Sequence, residues 1–399
     1  MPEFFKSKTM MIAYAIVGTC AVAIAIVMVL VIGNMNNQPV IQDTTSNVEA
    51  FTATEDNDDD ETRHPSRWAD EFAGEEFFMY PTSRLTGMPV TDETYNRRPM
   101  AVVINNIHRA LPQSGITSAD IIYEVLSEGD VTRLIAIFQS DIPDEIGPVR
   151  SARDYFVDFA FNHDAVFVHH GASPSGYSRI RGSRINSVDG MAFEGRVFWR
   201  IRSYPAWARN SGTRPMEHSS YTGWYRLEPH IDDQGIREYF SEEITYGFTF
   251  GQIPASAGVS GVAERVVVPF SPNYTRTFVF DAETGLYMVE NRDGAHLDAL
   301  NQEQVSVANV LIQLTAKHII AGDADGRRNV QTVGSGTGFL ATNGIYHPVR
   351  WEKTSHDSPM QWFFENGEPL VLSPGTTWIC VFQSNGTVRF ENFEETAEN

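Results

Sequence analysis

Apolar residues fall into three textures along the 399 residues of this chain. From Met10 to Gly33 the chain is uncharged and almost wholly apolar. At 1.5 Å per helical residue such a run crosses a hydrocarbon core of about 30 Å, so a transmembrane helix is expected over 10–33. Residues 34–76 are poor in large apolar side chains and carry Glu55-Asp-Asn-Asp-Asp-Asp-Glu61, which self-repels. A disordered acidic linker is expected there, because such a segment cannot bury enough surface to offset its ordering entropy.

Beyond the linker, short apolar runs alternate with turn residues. Met100-Ala-Val-Val-Ile-Asn105 reads as a buried strand, and Ile121–Leu126 and Thr132–Gln139 as two more joined by a hairpin turn at Glu128-Gly-Asp130. Ser151-Ala-Arg-Asp154 fits a capping box, with Tyr155, Phe156, Phe159 and Ala160 following at helical spacing. Ala165–His170 is a further strand, and Ser173-Pro174 opens another helix. Residues 203–230 are rich in Trp, Tyr, Pro and Arg without clean periodicity and are expected to be a long ordered loop. From Glu264 the texture becomes one of short strands: Arg265–Phe270, Thr277–Phe280, Leu286–Val289, Val310–Leu314, Phe339-Leu340 and Thr377–Phe382. These patterns predict an α/β or α+β first domain over 84–240 and a second, mainly β domain over 260–390.

Charge places these elements relative to the membrane. Lys6 and Lys8 precede the apolar run and no Lys or Arg follows until Arg63, so residues 1–9 are expected in the cytoplasm and the rest outside the cell. The run exceeds a signal-peptide core, and Gly33-Asn-Met-Asn-Asn37 offers no cleavage site of the A-x-A kind. Cys20 follows Thr19 and lies inside the continuing apolar run, so it reads as a membrane-buried thiol rather than a lipid attachment point. Cys380 is remote from it, and no disulfide is expected. A formal net charge of −21 disfavours nucleic acid as a partner.

Several ordered motifs resemble one family. Arg98-Pro-Met-Ala-Val-Val-Ile-Asn-Asn106, Pro112-Gln-Ser-Gly115, Ala119–Glu124, Thr132–Phe138 and Ile146-Gly-Pro-Val-Arg-Ser-Ala-Arg153 are similar to the first domain of the YerB-like putative lipoprotein family. Val333–Gly338 and Leu372-Ser-Pro-Gly-Thr-Thr-Trp378 are similar to its second domain. The resemblance implies an extracytoplasmic protein of a Gram-positive envelope, built from domains of unknown function, and implies no reaction.

Candidate chemistry centres on Ile146–Arg153. Arg150 and Arg153 flank an expected helix start at Ser151, where unpaired N–H groups and the helix dipole favour an anion and guanidinium forks add bidentate recognition. Arg109, Gln113 and Glu124 are further polar candidates for this ligand site. Glu124 and Glu128 are about 13 Å apart in an extended strand, too far for either glycosidase geometry. A buried Glu124 bonded to Arg133 or Arg150 is the plainer expectation. His169 and His170 close a strand and point to opposite faces, so they cannot share a metal; His170, with His218, is expected to face a crevice at the strand's C-terminal end. Gly334-Ser-Gly-Thr-Gly338 reads as a tight turn rather than a phosphate fingerprint, and no motif assigns a metal or cofactor. The expected function is binding of an anionic cell-wall component through the first domain; alternatives are an envelope hydrolase and a scaffold for envelope proteins.

Overall fold

The computed structural model describes residues 80–241 and 248–393. The expected cytoplasmic segment, membrane anchor and acidic linker lie outside the described residues. Among the described residues no helix is long and apolar enough to cross a membrane.

In the first half β1 (Met100–Asn105) is buried at every position, as its unbroken apolar run requires of a strand covered on both faces. β2 (Ile121–Leu126) and β3 (Thr132–Phe138) form the expected antiparallel hairpin. β1 pairs antiparallel with β3 and parallel with β4 (Val166–His169), which pairs in turn with β5 (Ser187–Asp189). Helix α1 (Asp154–Phe161) buries Tyr155, Phe156, Phe159 and Ala160, and α2 (Pro174–Arg181) is capped by Ser173, whose Oγ accepts from Gly176 N at 3.0 Å.

Two expectations here are corrected. Helix α1 begins at Asp154 with Arg153 as its cap residue and without a side-chain cap bond, so Ser151 does not open it. The reason is competition: Ala152 N donates to Gly171 O and Ser151 O accepts from Arg133, which holds 151–152 extended. The aromatic segment is not all loop, because α3 (Trp224–Asp233) begins inside it, runs past its end and buries Leu227, His230 and Ile231. Gly223 before this helix and Pro229 within it masked the periodicity.

The second half is mainly β, and it is joined to the first by one sheet. Its strands are β6 (Arg265–Ser271), β7 (Tyr274–Asp281), β8 (Leu286–Asn291), β9 (Asn309–Thr315), β10 (Lys317–Ile319), β11 (Arg328–Val330), β12 (Gly334–Thr342), β13 (Ile345–Lys353), β14 (Gln361–Phe364), β15 (Thr377–Gln383) and β16 (Arg389–Glu391). β15 pairs parallel with β2 on one side and with β9 on the other. The sheet therefore runs β14-β13-β12-β9-β15-β2-β3-β1-β4-β5, with Gly261–Val262 alongside β13. β6, β7, β8 and β16 belong to a second, six-stranded sheet. Successive residues of the shared strands feed opposite clusters: Val102, Ile122, Trp378 and Cys380 pack with Phe270 and Phe278, while Ala101, Tyr123, Ile379 and Val381 pack with the α1 aromatics. Each fully buried large side chain of this kind contributes about 1.5–3 kcal/mol of transfer free energy.

The glycine run 334–338 is also corrected: it lies in β12 rather than in a turn. A Cβ at Gly338 would stand 2.0 Å from the Ile312 carbonyl oxygen, and one at Gly336 2.6 Å from the Trp351 indole nitrogen. Glycine is required here by close approach across strands, not by a reversal of the chain. Behind β12, Asp158 of α1 accepts from Arg179 Nε at 3.1 Å and from His356 Nδ1 at 2.7 Å, a second tie between the halves.

Candidate functional site

The segment Ile146–Arg153 is a strap laid across the C-terminal ends of β1 and β4. Asn105 N donates to Pro148 O, Arg150 N to Val103 O, and His170 N to Arg150 O, while Ile146 and Thr222 exchange both backbone bonds. Gly147 lets the strap pass closely, since a Cβ there would meet the Tyr221 ring at 2.7 Å. The ends of adjacent parallel strands are where open α/β sheets gather functional side chains.

Along this crest the polar groups are interlocked. Arg150 Nη1 donates to Glu217 O at 2.8 Å, and Asn105 Nδ2 donates to His218 Nδ1 at 2.9 Å. Arg200 Nη2 donates to His170 Nε2 at 3.2 Å, which leaves His170 Nδ1 to donate to Ser220 Oγ at 2.8 Å. Arg200 also grips both carboxylate oxygens of Glu194, at 2.8 and 2.9 Å. Burial and then the nearby guanidinium, Arg200 for His170 and Arg150 for His218, lower both imidazoles below their ordinary pKa. Both are therefore neutral at pH 7. Arg109 is exposed at the rim, where Tyr204 Oη donates to its carbonyl at 2.8 Å.

Beside the crest lies a cluster of cations. Arg133 Nη2 and Arg153 Nη2 both bond one oxygen of Glu128, the former at 2.6 Å. Their other amino groups donate to the strap, Arg133 Nη1 to Ser151 O and Arg153 Nη1 to Ala152 O, each at 2.6 Å. The second oxygen of Glu128 and Nε of Arg153 are buried without a hydrogen-bond partner. Burial, and next the charge of Arg153, push Arg133 down to about 9. Arg150 is lowered too, by burial, with Glu128 raising it and Arg153 opposing. Arg133 and Arg153 thus share a single carboxylate, and Arg150 stands between that carboxylate and Glu217, inside a protein whose formal net charge is −21.

Gln113 and Glu124 sit elsewhere. Glu124 is bonded to neither Arg133 nor Arg150: its carboxylate takes Arg276 Nε at 2.8 Å and Nη2 at 3.2 Å, Thr132 Oγ1 at 2.8 Å and Asn106 Nδ2 at 3.1 Å. That pairing spans 152 residues, and no local spacing announces it. Gln113 Nε2 donates to Asn106 Oδ1 and Asn105 O, and its Oε1 accepts from His296 Nε2 at 2.7 Å. This inner network meets the crest at Asn105, whose side chain bonds His218 while its carbonyl accepts from Gln113. The structure therefore groups Arg150, Ser151, Arg153, His170 and His218, leaves Arg109 at the rim, and sets Gln113 and Glu124 apart.

Residues 85–237 match the N-terminal domain, and residues 266–379 the C-terminal domain, of the family described as protein of unknown function DUF3048. The chain is 32% identical over 301 residues to a Bacillus subtilis (strain 168) protein named "Putative lipoprotein YerB", covering 74% of this chain and 85% of that one. It belongs to the DUF3048 family. The crystal structure of the YerB protein from Bacillus subtilis superposes with a TM-score of 0.68 at 29% identity, covering 78% of this chain and all of that one. The crest and the cation cluster lie wholly within the N-terminal DUF3048 domain.

Sequence reasoning did not single out Glu128, Arg133, Arg200, Glu194 or Ser220 as members of this constellation. Glu128 and Arg133 had a usable signal, since a hairpin brings its turn acid back over the first residues of the returning strand. Arg200 and Glu194 had none, because their partner His170 is brought to them by tertiary folding alone.

Proposed function

We propose that this protein is a membrane-anchored, extracytoplasmic component of a Gram-positive-type envelope that binds an anionic wall constituent at the strand-end crest. The location rests on the apolar run 10–33 with its preceding lysines and on the lipoprotein designation of the Bacillus subtilis relative. The binding reading is carried by one observation: Arg133 and Arg153 share a single oxygen of Glu128 while Arg150, partly exposed, stands beside them. Such an excess of buried positive charge is relieved by an anion supplied from outside, and guanidinium forks suit phosphate and carboxylate. Wall teichoic acid and peptidoglycan stem peptides both offer those groups. A hydrolase reading loses its carboxylate, because Glu124 is fully committed to Arg276, Thr132 and Asn106.

The test is cosedimentation of the exported part with purified wall teichoic acid and, separately, with peptidoglycan, followed by mass spectrometry of the supernatant. Arg150→Ala combined with Arg153→Ala is expected to weaken retention by about tenfold or more, from the loss of charge-assisted bonds of about 1.5 kcal/mol or more each. Equal retention by wild type and a folded double variant would sink the proposal. Released fragments would instead mark an enzyme.

A further inference from the structure

A second accumulation of positive charge lies away from the crest. The chain between β15 and β16, the β6–β7 hairpin and the two-stranded β10–β11 ribbon line an open cleft of about 550 Å³, of the size that takes a small organic ligand. Two cations line it. Lys317 and Arg328 stand diagonally on the ribbon, whose register pairs Lys317 with Val330 and Ile319 with Arg328, so both project from one face.

Neither cation has a carboxylate partner within 4.0 Å among the described residues, although the chain holds 51 acidic residues. Lys317 Nζ donates to Val381 O at 2.9 Å and otherwise lies 5.8 and 5.6 Å from the ring centroids of Phe270 and Phe382. Arg328 donates to Gly129 O, and its Nε is buried with no hydrogen-bond partner. The acid lining the cleft, Asp130, forms no ion pair with either. Like charges set on one face of a ribbon repel, and the ribbon retains them without internal neutralisation.

We propose that this cleft is an anion site in which Lys317 and Arg328 hold the carboxylate or phosphate group of a small organic molecule. The ammonium supplies a point charge with donors beyond the one given to Val381, and the guanidinium supplies the amino N–H groups not given to Gly129. Thr275 and Gln383 also line the cleft and offer hydrogen bonds to the ligand's polar atoms, while Leu126, Pro269 and Pro272 accommodate its carbon skeleton. Burial, and next the charge of Arg328, lower the Lys317 amine to about 7, the shift expected of a cation left without its counter-charge. The proposal is independent of the crest, whose arginines belong to other elements.

The probes are inorganic phosphate, glycerol 3-phosphate and acetate, titrated calorimetrically into the exported part of the chain. Lysine acetylation by acetic anhydride, read by peptide mass spectrometry, serves as a residue-level measure. At least one anion is expected to bind and to protect Lys317 from acetylation. Arg328→Gln and Lys317→Met are each expected to weaken that binding by about tenfold or more, and Lys317→Arg to retain it. Phosphate and glycerol 3-phosphate binding without acetate would identify a phosphate site, and the reverse a carboxylate site. No binding of any of the three, or binding that leaves Lys317 unprotected, would overturn the proposal. So would undiminished binding by Lys317→Met and Arg328→Gln proteins whose thermal unfolding matches wild type.

Discussion

Arg276 and Glu124, 152 residues apart in sequence, form a bidentate pair in the interior, Nε to Oε2 at 2.8 Å and Nη2 to Oε1 at 3.2 Å. The pair joins β7 to β2 and so links the six-stranded sheet to the shared one. It is framed by His296, which accepts from Arg276 Nη1 at 2.7 Å, and by the Trp378 ring, 4.9 Å beneath the guanidinium. Removing one partner leaves the other charge buried, which costs far more than the pair itself contributes. Arg276→Met should therefore lower unfolding stability by about 3–5 kcal/mol, and pairing it with Glu124→Leu should recover most of the loss. Urea denaturation of the single and the double variant measures this. A loss below about 1 kcal/mol in the single variant would mean that water reaches Glu124.

Glu128 makes a different prediction, because it is the one carboxylate bonded by both Arg133 and Arg153. Burial alone would raise its pKa, but Arg133 and Arg153 override that and hold it below the ordinary value. A carboxylate with a depressed folded pKa stabilises the fold above its unfolded value and loses that contribution as pH falls through the folded one. Glu128→Gln should thus destabilise the protein by about 3 kcal/mol at neutral pH. It should also raise the affinity of the cluster for inorganic phosphate, since nothing then competes for Arg133 and Arg153. Thermal unfolding with and without phosphate separates the effects. A variant that phosphate stabilises no more than it does wild type would count against the cluster as an anion site.

Gly338 tests whether the corrected reading of the glycine run is physical. A Cβ placed 2.0 Å from the Ile312 carbonyl oxygen meets backbone, which cannot rotate away, so Gly338→Ala must push β9 and β12 apart. The loss should exceed about 3 kcal/mol, above the usual range for a point substitution. Gly285→Ala is a useful contrast. Gly285 has open space around its Cβ position and a φ of +70°, so only backbone strain of about 1–2 kcal/mol is expected there. Equal midpoints for the two variants in chemical denaturation would refute the close-approach account.

How far the sequence disclosed this structure depends on whether a residue's partner is local. β1 and the β2–β3 hairpin were legible because every position of those strands is buried and the turn chemistry lies between them. Ser173 was legible as a cap because its bond to Gly176 is itself local. Ser151 has the same local pattern, yet the backbone on either side of it is occupied by Arg133 and Gly171, and the helix begins later. Glycine at 334–338 has two physical causes, a turn or a close approach, written with the same letter. His170 and His218 were legible as strand-end and loop histidines, whereas Arg200 and Asn105, which fix their orientation, are brought to them only by the assembled fold.

Buried histidines give the protein a pH dependence whose sign can be worked out. His163 bonds the Tyr123 hydroxyl at 2.7 Å, and burial, with the Lys353 charge second, lowers it to about 3. His296 is lowered well below 6.5 by burial and then by Arg276. In the unfolded chain both imidazoles take up a proton below about pH 6.5, and in the folded chain neither does. The unfolded state then binds more protons, so stability falls as pH drops through 6.5 and continues to fall toward the folded values. For His163 this amounts to about 1.4 kcal/mol per pH unit once the pH is below the unfolded value, and His296 acts in the same direction. Glu128 loses its contribution only at lower pH, below the unfolded carboxylate range, and so does not produce this slope. Urea midpoints measured from pH 7.5 to pH 5 should decline for wild type and less steeply for His163→Phe, which cannot titrate. An unchanged slope in His163→Phe would count against a neutral His163 in the fold.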